Sequence, residues 1–240
     1  MVERRDRVVE WAKLAAEGEN PAVPAATVVL VRDGDRGVEA LMVRKDSKVA
    51  FGGMWVFPGG RVDDDDHDDA GDDLVAARRA AAREAEEETG LTVRPDDLEW
   101  ISFWIPPPQT PRRFATWFFL AAAPSGDVVI DDGEIREHRW LDPAEALALR
   151  DQGEIELAPP TWVTLHWLLE HPDVAACVDA ARRVEPMRFE TRLGVVDGGA
   201  VALWEGDAGY EAADADAPGA RHRLWLLGSG WRYERSGLDD

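Results

Sequence analysis

Three glutamates near the middle of the chain constrain it most. They lie in Arg83-Glu84-Ala85-Glu86-Glu87-Glu88-Thr89-Gly90-Leu91, a stretch with helical composition that a glycine closes. Each helical residue turns by about 100°, so Glu84, Glu87 and Glu88 share one face while Glu86 points nearly opposite. Exposed like charges at this spacing repel by a few tenths of a kcal/mol per pair, at about the scale of helix ion pairs. A hard divalent cation with oxygen ligands would offset the repulsion. A solvated acidic helix face accounts for the three acids alone equally well. What adds to them is the upstream Phe57-Pro58-Gly59-Gly60, where backbone without side chains can come close to a ligand.

Composition bounds the classes open to such a helix. Lys+Arg number 27 against 48 Asp+Glu, a formal net charge of −21 on 240 residues. That field repels nucleic-acid backbones and anionic membranes, so neither a nucleic-acid polymer nor a membrane is expected as partner. A polyanionic substrate needs a local metal or an arginine cluster. Lys13, Lys45 and Lys48 are the only lysines. Cys177 is the single cysteine, which excludes a disulfide framework and suits a small buried side chain. The N-terminus lacks the apolar run of a signal peptide, and no stretch approaches the ~20 apolar residues of a membrane span. A cytoplasmic protein is the expectation.

Residues 3–17 read as a helix, ended by Pro21 and Pro24. Ala25 to Arg32 and Val38 to Arg44 read as a hairpin turned at Asp33-Gly34-Asp35, and Trp55-Val56-Phe57 as a short strand that stops at Pro58-Gly59-Gly60. Residues 63–73 are rich in aspartate. Their glycine and glutamate are out of register for a calcium loop, so a solvated loop is expected. Asp72 or Asp73 caps the helix that follows, and Gly90 stops it. Leu74, Ala81 and Ala85 flank the acidic face, so the helix should lie close against a sheet. Leu98–Ile105 and Phe114–Ala121 read as strands joined by a proline-rich binding loop. A strand from Glu137 to Leu141, a helix from Asp142-Pro143 to Gln152, and two helices in 159–183 follow. The tail holds strands Arg188–Val196, Ala200–Trp204 and His222–Leu227, which either extend the main sheet or form an appendage.

Taken together, the apolar strand, Gly59-Gly60, the acidic loop and Arg-Glu-x-x-Glu-Glu-x-Gly resemble the Nudix box, Gly-x5-Glu-x7-Arg-Glu-U-x-Glu-Glu-x-Gly-U with U aliphatic. Arg83, Glu84, Glu87, Glu88, Gly90 and Leu91 match its second half. Counted from Gly60, the first glutamate of the box falls on Asp66. Residues 67–82 then separate it from Arg83, 16 against 7 in the pattern, which resembles an insertion of nine. The resemblance implies an α/β fold, the Nudix α/β/α sandwich with a mixed sheet, plus a C-terminal helical and β extension. The expected domains are 1–21 (helix and linker), 22–158 (Nudix), 159–185 (helices) and 186–240 (β-rich tail packed on or extending the core).

It also implies hydrolysis of a phosphoanhydride in a nucleoside diphosphate linked to another moiety. Mg²⁺ or Mn²⁺ is the implied cofactor, with Glu84, Glu87 and Glu88 as ligands and Glu134 (Glu137 second) as a late ligand from a distant loop. Glu84 and Glu87 with Arg83 form the implied catalytic set, Glu84 as ligand or base and Arg83 orienting the carboxylates. Arg44, Gly59, Gly60, Arg61, Arg112 and Arg113 are the substrate-binding candidates. Trp55, Trp100, Trp104 and Trp117 could stack on a base, although strand aromatics are more often core. Gly53-x3-Phe57-Pro58-Gly59-Gly60, the box insertion and Thr110-Pro111-Arg112-Arg113-Phe114 resemble the coenzyme A and acyl-CoA diphosphatases, whose products are 3′,5′-ADP and a 4′-phosphopantetheine. Diphosphatases of ADP-ribose, NADH or nucleotide sugars, and a non-catalytic nucleotide-sensing domain, remain open beside them. The implied partner is a small nucleotide-containing molecule, and a homodimer is left open.

Overall fold

The structure, a computed structural model, describes residues 20–46, 52–68, 71–130 and 133–238. The helix expected over 3–17 lies outside them. The chain divides into two compact units: Pro24–Phe103 with Thr116–Met187, and Met1–Val23 with Trp104–Ala115 and Arg188–Asp240.

The larger unit is built on the hairpin β1 (Val23–Gly34) and β2 (Gly37–Lys45). The pairs Val31↔Ala40 through Gly34↔Gly37 place the turn at Asp35-Arg36, at the far end of the expected Asp33-Gly34-Asp35. Gly37 at φ 130 supplies the conformation that follows so tight a turn. The strand expected over Trp55-Val56-Phe57 does stop before Gly59-Gly60, but the glycines start a second strand that was not expected. After β3 (Trp55–Val56), Gly59–Arg61 forms β4 and pairs with β1 from Ala25↔Arg61 to Thr27↔Gly59. This pairing needs bare backbone, because a Cβ on Gly59 would lie 2.4 Å from the Ala26 carbonyl oxygen.

The strand order is β3-β2-β1-β6-β5, with β5 (Glu99–Ile105) and β6 (Phe114–Ala122). β7 (Ile135–Leu141) pairs antiparallel with β2. The bonds Val23 N–H to Arg113 C=O and Ala123 N–H to Val31 C=O advance together along both chains, so β1 and β6 are parallel and the sheet is mixed. β1 is central and reads as a nearly continuous apolar run for that reason.

Helix α1 (Asp73–Thr89) is capped by Asp72, whose side chain accepts from the amides of Leu74 and Val75. Gly90 at φ 70 ends it and donates its N–H to the Glu86 carbonyl. Its inner face is alanine: Ala77, Ala80, Ala81 and Ala85 are fully buried with Val28 and Leu30 of β1 and Phe119 of β6. Such small side chains bring the helix backbone close to the sheet, and the acids next to them come close to β4. Helices α2 (Pro143–Gln152), α3 (Pro159–Leu168) and α4 (Val174–Arg183) complete the α/β/α sandwich.

The smaller unit holds the tail. The expected single strand Arg188–Val196 is two, β8 (Met187–Glu190) and β9 (Arg192–Val196). Thr191 breaks them apart: its N–H donates to Ile105 C=O, and its hydroxyl accepts from Trp204 Nε1 at 3.0 Å. β9, β10 (Gly199–Leu203), β11 (Arg221–Leu227) and β12 (Gly230–Ser236) form a separate antiparallel sheet in the order β12-β11-β10-β9. β12 is absent from the expectations because its Trp-Arg-Tyr-Glu-Arg run carries three charges and little aliphatic signal. Asp207 and Arg223 are both fully buried there, joined by two bonds of 2.7 and 2.6 Å. Trp104 stacks on Phe189 at 3.8 Å between ring centroids.

Candidate active site

The site is assembled where α1 passes β4. Glu88 is 4% exposed. Its Oε2 accepts the Gly59 N–H at 3.0 Å, and its Oε1 accepts a bond from Lys45 Nζ. Lys45 Nζ also donates to the Gly59 carbonyl at 3.0 Å. Burial lifts the Glu88 carboxyl above its ordinary range, against the opposing charge and hydrogen bond of Lys45.

Glu84 lies one turn earlier, against Gly60. A Cβ on Gly60 would come within 2.2 Å of Glu84 Oε1, so the carboxylate occupies the space a side chain would fill. Burial raises its carboxyl too, while the Arg83 bond and the charges of Arg83 and Lys45 pull the other way. Glu87 is more exposed and shares an Arg83 donor with Glu84: Arg83 Nη1 lies 2.9 Å from Glu84 Oε1 and 3.0 Å from Glu87 Oε2. Glu86, on the far side, accepts from Thr92 Oγ1 instead.

The rest of the Arg83 guanidinium grips the loop before the helix. Nε and Nη2 bond the two oxygens of Asp66 at 3.2 and 2.9 Å, and Nη2 also donates to the Arg61 carbonyl. Asp66 is 5% exposed, in a 3-10 turn over Asp64–Asp66, and accepts the Asp63 N–H at 2.9 Å. Burial by itself would raise its carboxyl, but the Arg83 and Asp63 bonds outweigh it and hold the group below its ordinary range. The solvated-loop expectation therefore needs correcting at this residue: Asp64 and Asp65 are exposed, whereas Asp66 is a buried brace. The bonds to Asp66 raise the Arg83 guanidinium further above its ordinary value. Asp66 and Arg83 thus tie the loop before α1 to the helix. Arg79 fastens the start of that loop through Asp68 at 3.0 Å.

The other sequence candidates fall as follows. Arg61 is exposed and joins the site through its carbonyl. Arg44 faces Glu137 across the β2–β7 pair, 3.6 Å away. Glu134 is exposed in the turn before β7, and its carbonyl accepts the Asp46 N–H at 2.7 Å. That bond sets it beside the end of β2 from which Lys45 extends. Glu137 accepts two bonds from Arg139. Arg112 and Arg113 belong to the smaller unit. Arg112 is exposed, whereas Arg113 uses Nε and Nη1 on the carbonyls of Pro106 and Asn20, bracing the proline-rich loop. Trp55 is buried, Trp104 is stacked on Phe189, and Trp117 packs on Phe103 at 4.5 Å, as core aromatics do.

Two residues that hold the site were not singled out for it from the sequence: Lys45, and Asp66 as the arginine's partner. A lysine at the end of a buried strand, in a chain with three, was the available signal for the first.

The donor set suits a hard divalent ion, since Glu84, Glu87, Glu88 and the Gly59 carbonyl are oxygens gathered at one strand–helix junction. In the present rotamers each carboxylate is turned to a protein cation, and among the described residues no three acidic, histidine or cysteine side chains converge on a common point.

Bare glycine backbone, a buried acid and an arginine-clamped acidic helix face on this sandwich define a class. A NUDIX domain model matches residues 21–168, more than half the chain. The chain belongs to the NUDIX family, and with it is a pyrophosphohydrolase acting on nucleoside-diphosphate-linked substrates. Among solved structures it is similar to a NUDIX hydrolase from Alicyclobacillus acidocaldarius, at 24% identity and TM-score 0.59, over 68% of this chain and 97% of that one. A MutT NUDIX hydrolase from Burkholderia pseudomallei aligns at 19% identity, TM-score 0.48, over 61% and 98%. The NUDIX domain of Shewanella oneidensis NrtR, solved with ADP ribose, aligns at 17%, TM-score 0.48, over 69% and 98%. No curated protein matches the chain. Among the described residues no helix is long and apolar enough to cross a membrane.

Proposed function

We propose that Glu84, Glu87 and Glu88 hold Mg²⁺ or Mn²⁺ at the Gly59 backbone, and that the diphosphate cleaved there belongs to coenzyme A or an acyl-CoA. The observation that carries the metal site is the approach of α1 to β4: the carboxylates of Glu84 and Glu88 both touch the Gly59-Gly60 backbone. When bound, the ion neutralises the diphosphate and acidifies water.

The chain's own residues do the rest. Arg83 fixes the rotamers of Glu84 and Glu87 and is itself fixed by Asp66. Glu84, with a carboxyl lifted by burial, is suited to take the proton of the attacking water. Gly59 and Gly60 keep the approach open for phosphate oxygens. Glu134, beside the end of β2, is the candidate for a further ligand from outside the helix. Arg44 and Arg61, in the same unit as the helix acids, are the arginines suited to the substrate's remaining phosphates. The coenzyme A assignment rests on Gly53-x3-Phe57-Pro58-Gly59-Gly60.

Incubation with coenzyme A, acyl-CoAs, ADP-ribose, NADH and nucleotide sugars, with Mg²⁺ or Mn²⁺, tests both parts by product mass. The expected products are 3′,5′-ADP and a 4′-phosphopantetheine. Faster turnover of ADP-ribose or a nucleotide sugar would overturn the coenzyme A assignment. Tight binding with no turnover of any of them would leave a nucleotide-sensing domain.

A further inference from the structure

Lys45 is the one feature of the site that neither the box nor the proposed chemistry uses. Its side chain is 10% exposed and that of Glu88 is 5% exposed. Its ammonium bonds two oxygens, Glu88 Oε1 and the Gly59 carbonyl. One is a carboxylate and the other a backbone carbonyl, both hard donors of the kind a divalent ion collects. Glu88 has its second oxygen on the Gly59 amide, so Glu88, Gly59 and Lys45 close a ring around one point. A buried carboxylate without a cation carries a large desolvation cost, and here the lysine offsets it. Two cations cannot share those oxygens, because like charges a few ångströms apart in a partly buried site repel strongly.

We propose that Lys45 is a tethered place-holder for the divalent ion. In the metal-free protein its ammonium sits on Glu88 and the Gly59 carbonyl and keeps α1 docked on β4. Ion binding at the same oxygens expels it. The position of Lys45 follows from the strand: it is the last residue of β2, opposite Ile135 of β7, and needs only side-chain rotation to leave. Cation affinity is accordingly set by exchange between two positive charges rather than by filling an empty cage. The inference rests on the metal site proposed above, and the experiment separates the two.

Binding of Mn²⁺ to the full chain is followed by electron paramagnetic resonance of the free ion. Lysine exposure is followed by reductive methylation and peptide mass spectrometry, with and without saturating Mn²⁺. Lys13 and Lys48, the only other lysines, are the internal references. Lys45 should be the protected lysine without metal, and its labelling should rise several-fold when Mn²⁺ is added. Lys45→Met should bind Mn²⁺ about tenfold tighter or more, since a competing charge is gone. It should also melt below the wild type without metal and close that gap when saturated with Mn²⁺. Bound Mn²⁺ with Lys45 still protected, or unchanged or weaker Mn²⁺ affinity in a folded Lys45→Met, would overturn the place-holder and leave the metal site standing. No Mn²⁺ binding by either protein would overturn both. The labelling needs no variant, so a Lys45→Met chain that fails to fold leaves the decision to it.

Discussion

Gly60→Ala isolates the placing of Glu84 from the stability of the fold. A Cβ at this position would meet Glu84 Oε1, Cδ and Oε2 at 2.2, 2.3 and 2.5 Å, where ordinary contact begins near 3.4 Å. The carboxylate must therefore retreat by about 1 Å, and if Glu84 has the proposed catalytic role the rate should fall by about a hundredfold at that displacement. What yields is the tip of a flexible side chain, so the backbone need not move. The unfolding free energy should change by about 1 kcal/mol or less, the crowding partly offset by the lower entropy of alanine in the unfolded chain. Gly59→Ala is the contrast. Its Cβ would strike backbone, at 2.4 Å from the Ala26 oxygen and 2.7 Å from the Thr27 Cα, at φ +157. Neither atom can retreat without breaking the β1–β4 pairing, so about 2–3 kcal/mol of stability should be lost. Urea denaturation and initial rates on the best substrate of the panel give both quantities for both variants. A Gly60→Ala protein with wild-type kcat/KM would refute the reading that Glu84 must lie on that backbone. So would a Gly60→Ala protein less stable than Gly59→Ala.

The brace on the loop before α1 can be weighed by paired substitutions. Asp66→Ala strips a buried partner from Arg83 and should cost about 2–4 kcal/mol in urea denaturation. Asp68→Ala, an exposed pair with Arg79, should cost less than about 0.5 kcal/mol. In the smaller unit, Arg223 and the His222 and Gly209 amides, working against burial, hold the Asp207 carboxyl below its ordinary range. A carboxyl depressed in the folded state contributes stability above its unfolded value and loses it as pH falls through the folded one. The advantage of the wild type over Asp207→Asn, about 3–5 kcal/mol for a fully buried pair, should be flat above about pH 5 and shrink below about pH 4 in denaturation curves. Burial pushes the Cys177 thiol up to about 11, so at pH 8 a thiol reagent should label it slowly in native protein and at once in denaturant.

The acidic helix face was legible because it is local. The 3.6-residue period places Glu84, Glu87 and Glu88 together whatever the rest of the chain does, and Asp72 and Gly90 mark the helix ends by capping chemistry. The alanines beside them correctly announced a close approach to a sheet. What the sequence hid is what depends on distant pairing. That Gly59–Arg61 is a strand could not be seen, since glycine has low strand propensity and only pairing with Ala25–Thr27 makes it one. The turn at Asp35-Arg36 was displaced because Gly34 reads as the turn glycine, while the ladder closes one pair later, at Gly34↔Gly37. Lys45 and Glu88 are separated by 43 positions, and no spacing rule connects them. Asp66 was found by counting, but its partner Arg83 lies 17 positions away on α1. β12 was missed because an edge strand of charged residues lacks the apolar alternation that signals its neighbours.

The proposed cation site on the helix carboxylates would serve hydrolysis. Its most direct test is Mn²⁺ binding to the wild type and to the double variant Glu84→Gln with Glu87→Gln, by electron paramagnetic resonance. The two side chains are half-buried and exposed, so the variant should fold, as its melting curve will report. The wild type should bind Mn²⁺, and the folded variant should lose at least about tenfold in affinity, as expected on removing two carboxylate ligands. Equal Mn²⁺ binding by the two proteins would contradict it.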